Sequence, residues 1–194
     1  MKLRLSLMVV LSLFALGSVA TFAFAADKGI SGKDKKFVME AASGGLMEVK
    51  GGELAQKKGQ SQEVKDFGAR MVTDHGKANE ELKSLAQQKN ITLPEKMARH
   101  HKSMIDKVSK LSGADFDKAY MRMMVKDHTK DVAAFKKAAQ EAKDPDLKAW
   151  AGKTQPILEQ HLEQAKGIAS KLGVDVEKVE KEGQKGAEKK QKHM

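Results

Sequence analysis

The chain has 194 residues, no cysteine and a formal net charge of +10. Without cysteine it holds neither a disulfide framework nor a thiolate metal site, and no lipid-anchored cysteine follows an export signal. Lys and Arg are mixed with Asp and Glu along every segment instead of forming one basic block, which argues against a nucleic-acid partner.

Residues 1–25 start with Lys2 and Arg4, carry no charge from Leu5 onward and close on Ala23-Phe24-Ala25. A positive start, an apolar middle and a small-residue exit predict a cleaved secretory signal peptide. The alternative is an uncleaved anchor, since the apolar run approaches the roughly 20 residues that span a bilayer. Ser12, Gly17, Ser18 and Thr21 inside the run favour cleavage. No second run of spanning length follows, so the remainder is expected to carry +8, to have no membrane span and to work in the periplasm.

From there apolar residues recur at the helical period. A first helix is predicted over 33–58, with Phe37, Ala41, Gly44, Glu48, Gly51 and Ala55 on its stripe and Gly59 as a left-handed cap. The pairs Gly44-Gly45 and Gly51-Gly52 imply close backbone approach or room for something bulky opposite. Ser61 suits the N-cap of a second helix, which runs to about residue 89 along Val64, Phe67, Met71, His75, Ala78, Leu82 and Leu85. Pro94 breaks the pattern, and a short amphipathic segment over 95–111 carries Met97, Met104, Ile105 and Val108.

The third long helix, about 114–142, shows Phe116, Tyr120, Met121, Met124, Val125, His128, Val132 and Phe135. Asp144-Pro145 opens a fourth, with Leu147, Ala151, Thr154, Leu158, His161, Ala165 and Ile168 on one face and an expected kink at Pro156. Residues 174–194 are rich in Lys, Glu, Gln and Gly and are expected to form a disordered, charged tail.

Four helices with one-sided stripes must bury them against one another. Turns of two or three residues make hairpins of the first pair and of the second. The link of about 20 residues between the pairs lets the chain cross the bundle, leaving the second and third helices parallel. The expected fold class over 26–173 is all-α: a ferritin-like antiparallel four-helix bundle with a short helix in the long crossover between helices two and three.

Met71-Val72-Thr73-Asp74-His75 recurs as Met124-Val125-Lys126-Asp127-His128, each with an aromatic residue four positions earlier. On parallel helices the repeat sets His75 and His128 at one height. Counting from the turns brings His161 and Glu48, or Glu40, to the same slice. Buried ionisable groups are costly unless paired or bound to metal. One reading is therefore a site for one transition-metal ion, with Glu48, His75, His128 and His161 as ligands and Glu40, Asp74 and Asp127 as outer partners. Zinc, copper or iron suits such a set, and Met47, Met71 and Met124 would tilt it toward cuprous copper. The other reading is a hydrogen-bonded layer that only sets bundle register.

The function expected is non-enzymatic, in envelope stress or metal homeostasis. The alternative is an interaction scaffold or holdase that meets other envelope proteins through an exposed Met97, Met104 and Ile105. His100 and His101 beside Met104 look like a soft-metal cluster but read as surface residues. No nucleophile motif or phosphate loop is present.

The two Met-Val-x-Asp-His segments, Ser112-Gly113-x-x-Phe116-Asp117 and Pro156 to Leu162 together resemble the secreted bacterial ferritin-like family catalogued as domain of unknown function 4142. The resemblance covers 26–173 and implies export and a ferritin-like bundle without an agreed activity. Ferritin-like di-iron enzymes use Glu-x-x-His. Here Val72, Val125 and Leu158 stand three residues before the histidines, so a carboxylate-bridged di-iron oxidase is not expected.

Overall fold

The computed structural model describes residues 30–192. The signal peptide expected over 1–25 lies outside the described residues. What is described is all-helical: α1 (Gly32–Lys58), α2 (Gln62–Gln88), α3 (Arg99–Val108), α4 (Gly113–Glu141), α5 (Pro145–Lys171) and α6 (Val176–Lys192).

Local chemistry explains where these helices begin. The hydroxyls of Ser31 and Ser61 accept the N–H groups of Asp34 and Val64 at 3.1 and 3.2 Å, capping α1 and α2. Asp144 caps α5 by accepting from Asp146 and Leu147, with Pro145 in the first helical position. Each such cap stabilises its helix by about 1 kcal/mol. Pro156 does not end α5, which continues through it as one helix. Gly59 corrects the expected left-handed cap: its φ is −58°, and a Cβ there would lie 2.6 Å from the Ala55 carbonyl oxygen. Close approach to the preceding turn, not backbone handedness, requires glycine at this corner.

Contacts at the two ends set the helix directions. Asp117, early in α4, accepts the Gln60 and Ser61 N–H groups at 2.9 and 2.8 Å, which ties it to the α1–α2 turn. At the other end Asp34 accepts from Lys143 and Asp144 at 2.9 and 3.1 Å. Lys89 also reaches Asp144 there, at 2.9 Å. Helices α1 and α5 therefore run one way while α2 and α4 run the other. Helices α2 and α4 face each other across the core, where Phe67 meets Tyr120 at 6.2 Å and His75 meets His128 at 5.6 Å between ring centroids. Within the first hairpin the backbones touch: a Cβ on Gly52 would fall 2.5 Å from the Gly68 carbonyl oxygen.

Two apolar clusters fill the bundle. Met47, Phe67, Met71, Phe116, Tyr120, Met121 and Met124 lie toward the α1–α2 turn. Phe37, Leu82, Phe135, Leu147, Trp150 and Leu158 lie toward the α4–α5 turn. Burying each large side chain stabilises the fold by about 2–3 kcal/mol. On α2, α4 and α5 the boundary between the clusters falls at a histidine, His75, His128 or His161, and on α1 Glu48 stands just past it, beside Met47.

Residues 176–192 depart from the expected disordered tail. They form α6, which lies along α4 in the same direction. The helix needs little apolar surface because Val179 and Ala187 are buried and Gly183 lets the backbones close. A Cβ on Gly183 would meet Thr129 Cβ at 2.8 Å. Glu182 pairs with Arg122 and Lys126 at 2.7 and 3.0 Å, and Asp175 accepts the Lys178 N–H.

The crossover also differs from the scaffold expectation. Ile105 is buried, and Met97 and Met104 pack half-buried on the core. The apolar docking surface that the scaffold reading needed is not formed by these side chains. No helix among the described residues is long and apolar enough to cross a membrane.

Candidate metal centre

His75 on α2, His128 on α4 and His161 on α5 meet in the slice between the two apolar clusters. Their ring centroids are 5.3–5.6 Å apart. One ring nitrogen of each lies within 4.8 Å of those of the other two. All three side chains are buried.

The second nitrogens of two rings have fixed partners. His161 Nε2 donates to the Asp74 carboxylate at 2.8 Å, and His128 Nδ1 donates to the Met124 carbonyl at 3.1 Å. Both oxygens only accept, which places the protons on those nitrogens and leaves lone pairs on His161 Nδ1 and His128 Nε2. Those two atoms, together with His75 Nε2, are buried without a hydrogen-bond partner. Each such orphan costs about 1–3 kcal/mol.

Burial drives all three imidazoles toward the neutral form. It is the main cause that holds His75 well below the usual histidine range, with His128 and His161 adding repulsion. Burial, followed by His161, lowers His128 to about 4 against the pull of Asp127 and the Met124 carbonyl. For His161 burial again outweighs the hydrogen bond it donates to Asp74. Neutral imidazoles keep the lone pairs that a metal needs.

Glu48 is fully buried beside this group, with Oε1 3.6 Å from His128 Nδ1. That is the protonated side of the ring, so Glu48 stands next to the three-nitrogen cluster and not in it. It gathers instead with Asp127 and Asp131, and neither of its oxygens has a partner of good geometry. Burial first, then the charges of Asp127 and Asp131, push its carboxyl well above the usual range. Asp127 faces these carboxyls and Lys130, at 3.6 Å, and not a ring nitrogen. Asp74, 3.2 Å from Arg70 on its outer side, supports His161 as described.

Glu40 corrects the expected outer role at the core. It meets His100 and His101 of α3 at 3.0 and 3.6 Å. It sits two helical turns, about 12 Å, from Glu48 along α1, too far to serve the trio. Tyr120 escaped assignment from the sequence, yet its hydroxyl is buried and unpartnered within the cluster toward the α1–α2 turn. Asp131, one turn beyond Asp127, also joins Glu48 and Asp127 without having been singled out in the sequence.

A cleft of about 140 Å³ lined by Phe37, Phe135 and Trp150 reaches His75. A smaller one of about 50 Å³ reaches His75 and His161 beside Asp74 and Lys153.

An all-helical protein with an imidazole cluster between two apolar cores is the class these features define. The family described as Domain of unknown function (DUF4142) matches residues 19–168, and the chain belongs to it. A solved structure described as a DUF305 fragment from Deinococcus radiodurans is similar in fold, with a TM-score of 0.65 at 11% identity. The similarity covers 74% of this chain and 99% of that one. Comparison with curated proteins gives no match.

Proposed function

We propose that this chain is an exported envelope protein, working in the periplasm, whose bundle core binds one transition-metal ion through His75, His128 and His161. The reading takes the helix arrangement as ferritin-like and the role as metal homeostasis or envelope stress, by binding and not by catalysis. The observation that carries it is the set of three buried, partnerless ring nitrogens from three helices. Asp74 and the Met124 carbonyl orient two of those rings, as outer partners of metal-bound histidines do.

The donor set suits zinc, and also copper or iron. A tetrahedral zinc site with bonds of about 2.05 Å has nitrogens roughly 3.4 Å apart, so each ring would move inward by less than about 1 Å. The cation would also compensate the carboxyls of Glu48 and Asp127. Glu48 sits where it can answer the added charge by losing its proton.

The test is metal analysis of the mature chain purified from the periplasm without an affinity tag, followed by titration with zinc, copper and ferrous iron. One bound equivalent and a raised Tm are expected. Absence of metal together with an unchanged Tm for all three ions would end the metal reading.

A further inference from the structure

A second group of histidines lies outside the core. His100 and His101 are consecutive on α3, so their side chains leave the helix about 100° apart. Their rings nevertheless come together, with centroids 3.9 Å apart. Both Nε2 atoms turn to one oxygen, Glu40 Oε1 of α1, at 3.0 and 3.6 Å. One ligand-type atom from each of the three residues lies within 4.8 Å of the others.

The far side of the buried ring is held as well. His101 Nδ1 is 2.7 Å from Ser43 Oγ, and that oxygen accepts the Ala98 N–H at 2.7 Å. The ring of His101 is thus oriented from α1 and from the residue just before α3, with Nε2 directed at Glu40. His100 is 57% exposed at its side chain, so the group opens to solvent on one side. Glu40 and His101 also line the 140 Å³ cleft that leads to His75.

We propose that Glu40, His100 and His101 form a second transition-metal site, at the mouth of this cleft. Two imidazole nitrogens and one carboxylate are the donor set of an open zinc site, in which water or an incoming ligand completes the coordination. Ser43 serves the site as the outer partner that fixes one imidazole. Because its residues are separate from the core trio, the site stands whether or not the trio binds metal. Its place on the cleft suits it to receive ions from solvent.

The experiment is a titration of the mature chain with zinc(II) alone, read by calorimetry and by the imidazole resonances of the assigned histidines. The variants are Glu40→Gln, His100→Ala and, for the core, His128→Ala. His100 is exposed, and circular dichroism checks that each variant is folded. Zinc should shift the His100 and His101 resonances in the parent chain. Glu40→Gln and His100→Ala should each weaken one equivalent by roughly 100-fold or more, beyond the 10–100-fold that loss of an outer partner costs. The core equivalent should survive in both. Unchanged binding in Glu40→Gln and His100→Ala, with the two resonances unmoved in the parent, would overturn the proposal and leave a simple Glu–His hydrogen bond. Loss in those variants with no change in His128→Ala would uphold this site and remove the core one.

Discussion

The inner and outer histidines of this bundle differ in what their ring nitrogens meet. In the outer group both Nε2 atoms face a carboxylate, and solvent reaches His100. In the inner group three nitrogens from three helices face one another inside the core, with no donor or acceptor supplied. A half-exposed hydrogen bond is cheap to keep, whereas buried orphans lower the stability of the metal-free fold. The contrast locates the layer where the fold gives up stability, and it separates the expected behaviour of the two groups.

The largest expected effect lies in the inner group. Zinc at a thousand times its Kd should stabilise the parent chain by about 4 kcal/mol through mass action. His128→Ala should lose most of that gain, measured as the zinc-dependent shift of a denaturation midpoint.

Acid comes next. The His128 pKa is about 4 in the fold against 6.5 for an ordinary histidine, so above pH 6.5 both states are neutral and the full stability is present. Below it the unfolded chain takes up the proton first, so the metal-free protein should lose stability down to the folded value, where the loss levels off. For His128 alone this amounts to about 3 kcal/mol at 1.36 kcal/mol per pKa unit. His75 and His161 act in the same direction. Glu48, with its pKa raised, acts in the opposite one, gaining stability as pH falls through its folded value. Denaturant titrations of metal-free Glu48→Gln between pH 7 and 4 should therefore show a steeper loss than the parent.

The outer group should give the smallest effect. His100→Ala is expected to change metal-free stability by no more than about 0.5 kcal/mol, because its ring is largely exposed and its contact with Glu40 is one hydrogen bond at the surface. A loss of several kcal/mol in equilibrium unfolding would mean that the outer histidines bear structure as the inner ones do.

Much of the architecture was legible from periodicity and caps. Ser61, Asp144 and Pro145 mark helix starts by chemistry that acts within three residues, and the paired Met-Val-x-Asp-His segments located two of the inner histidines at one height. The sequence was silent where contact between helices decides. Helix α6 holds through Val179, Gly183 and Ala187, a four-residue spacing of small side chains that reads as weak hydrophobicity until α4 is placed beside it. Glu40 and Glu48 share a helix, but only the position of α3 decides that Glu40 turns to His100 and His101. Turn counting gave height along the axis and could not tell that Glu48 would meet His128 from its protonated side.

The bare contact between Gly52 and Gly68 has a mechanical consequence. With backbone against backbone, α1 and α2 behave as one stiff plate, and rearrangement inside it would open the seam. The boundary with the second plate, α4 and α5, is carried by side chains instead, among them Arg70 to Gln160 and Gln164, each at 2.9 Å. His75 belongs to the first plate, while His128 and His161 belong to the second. An ion held by all three would rivet the plates together at one spacing, so filling the core would set how far the bundle can breathe.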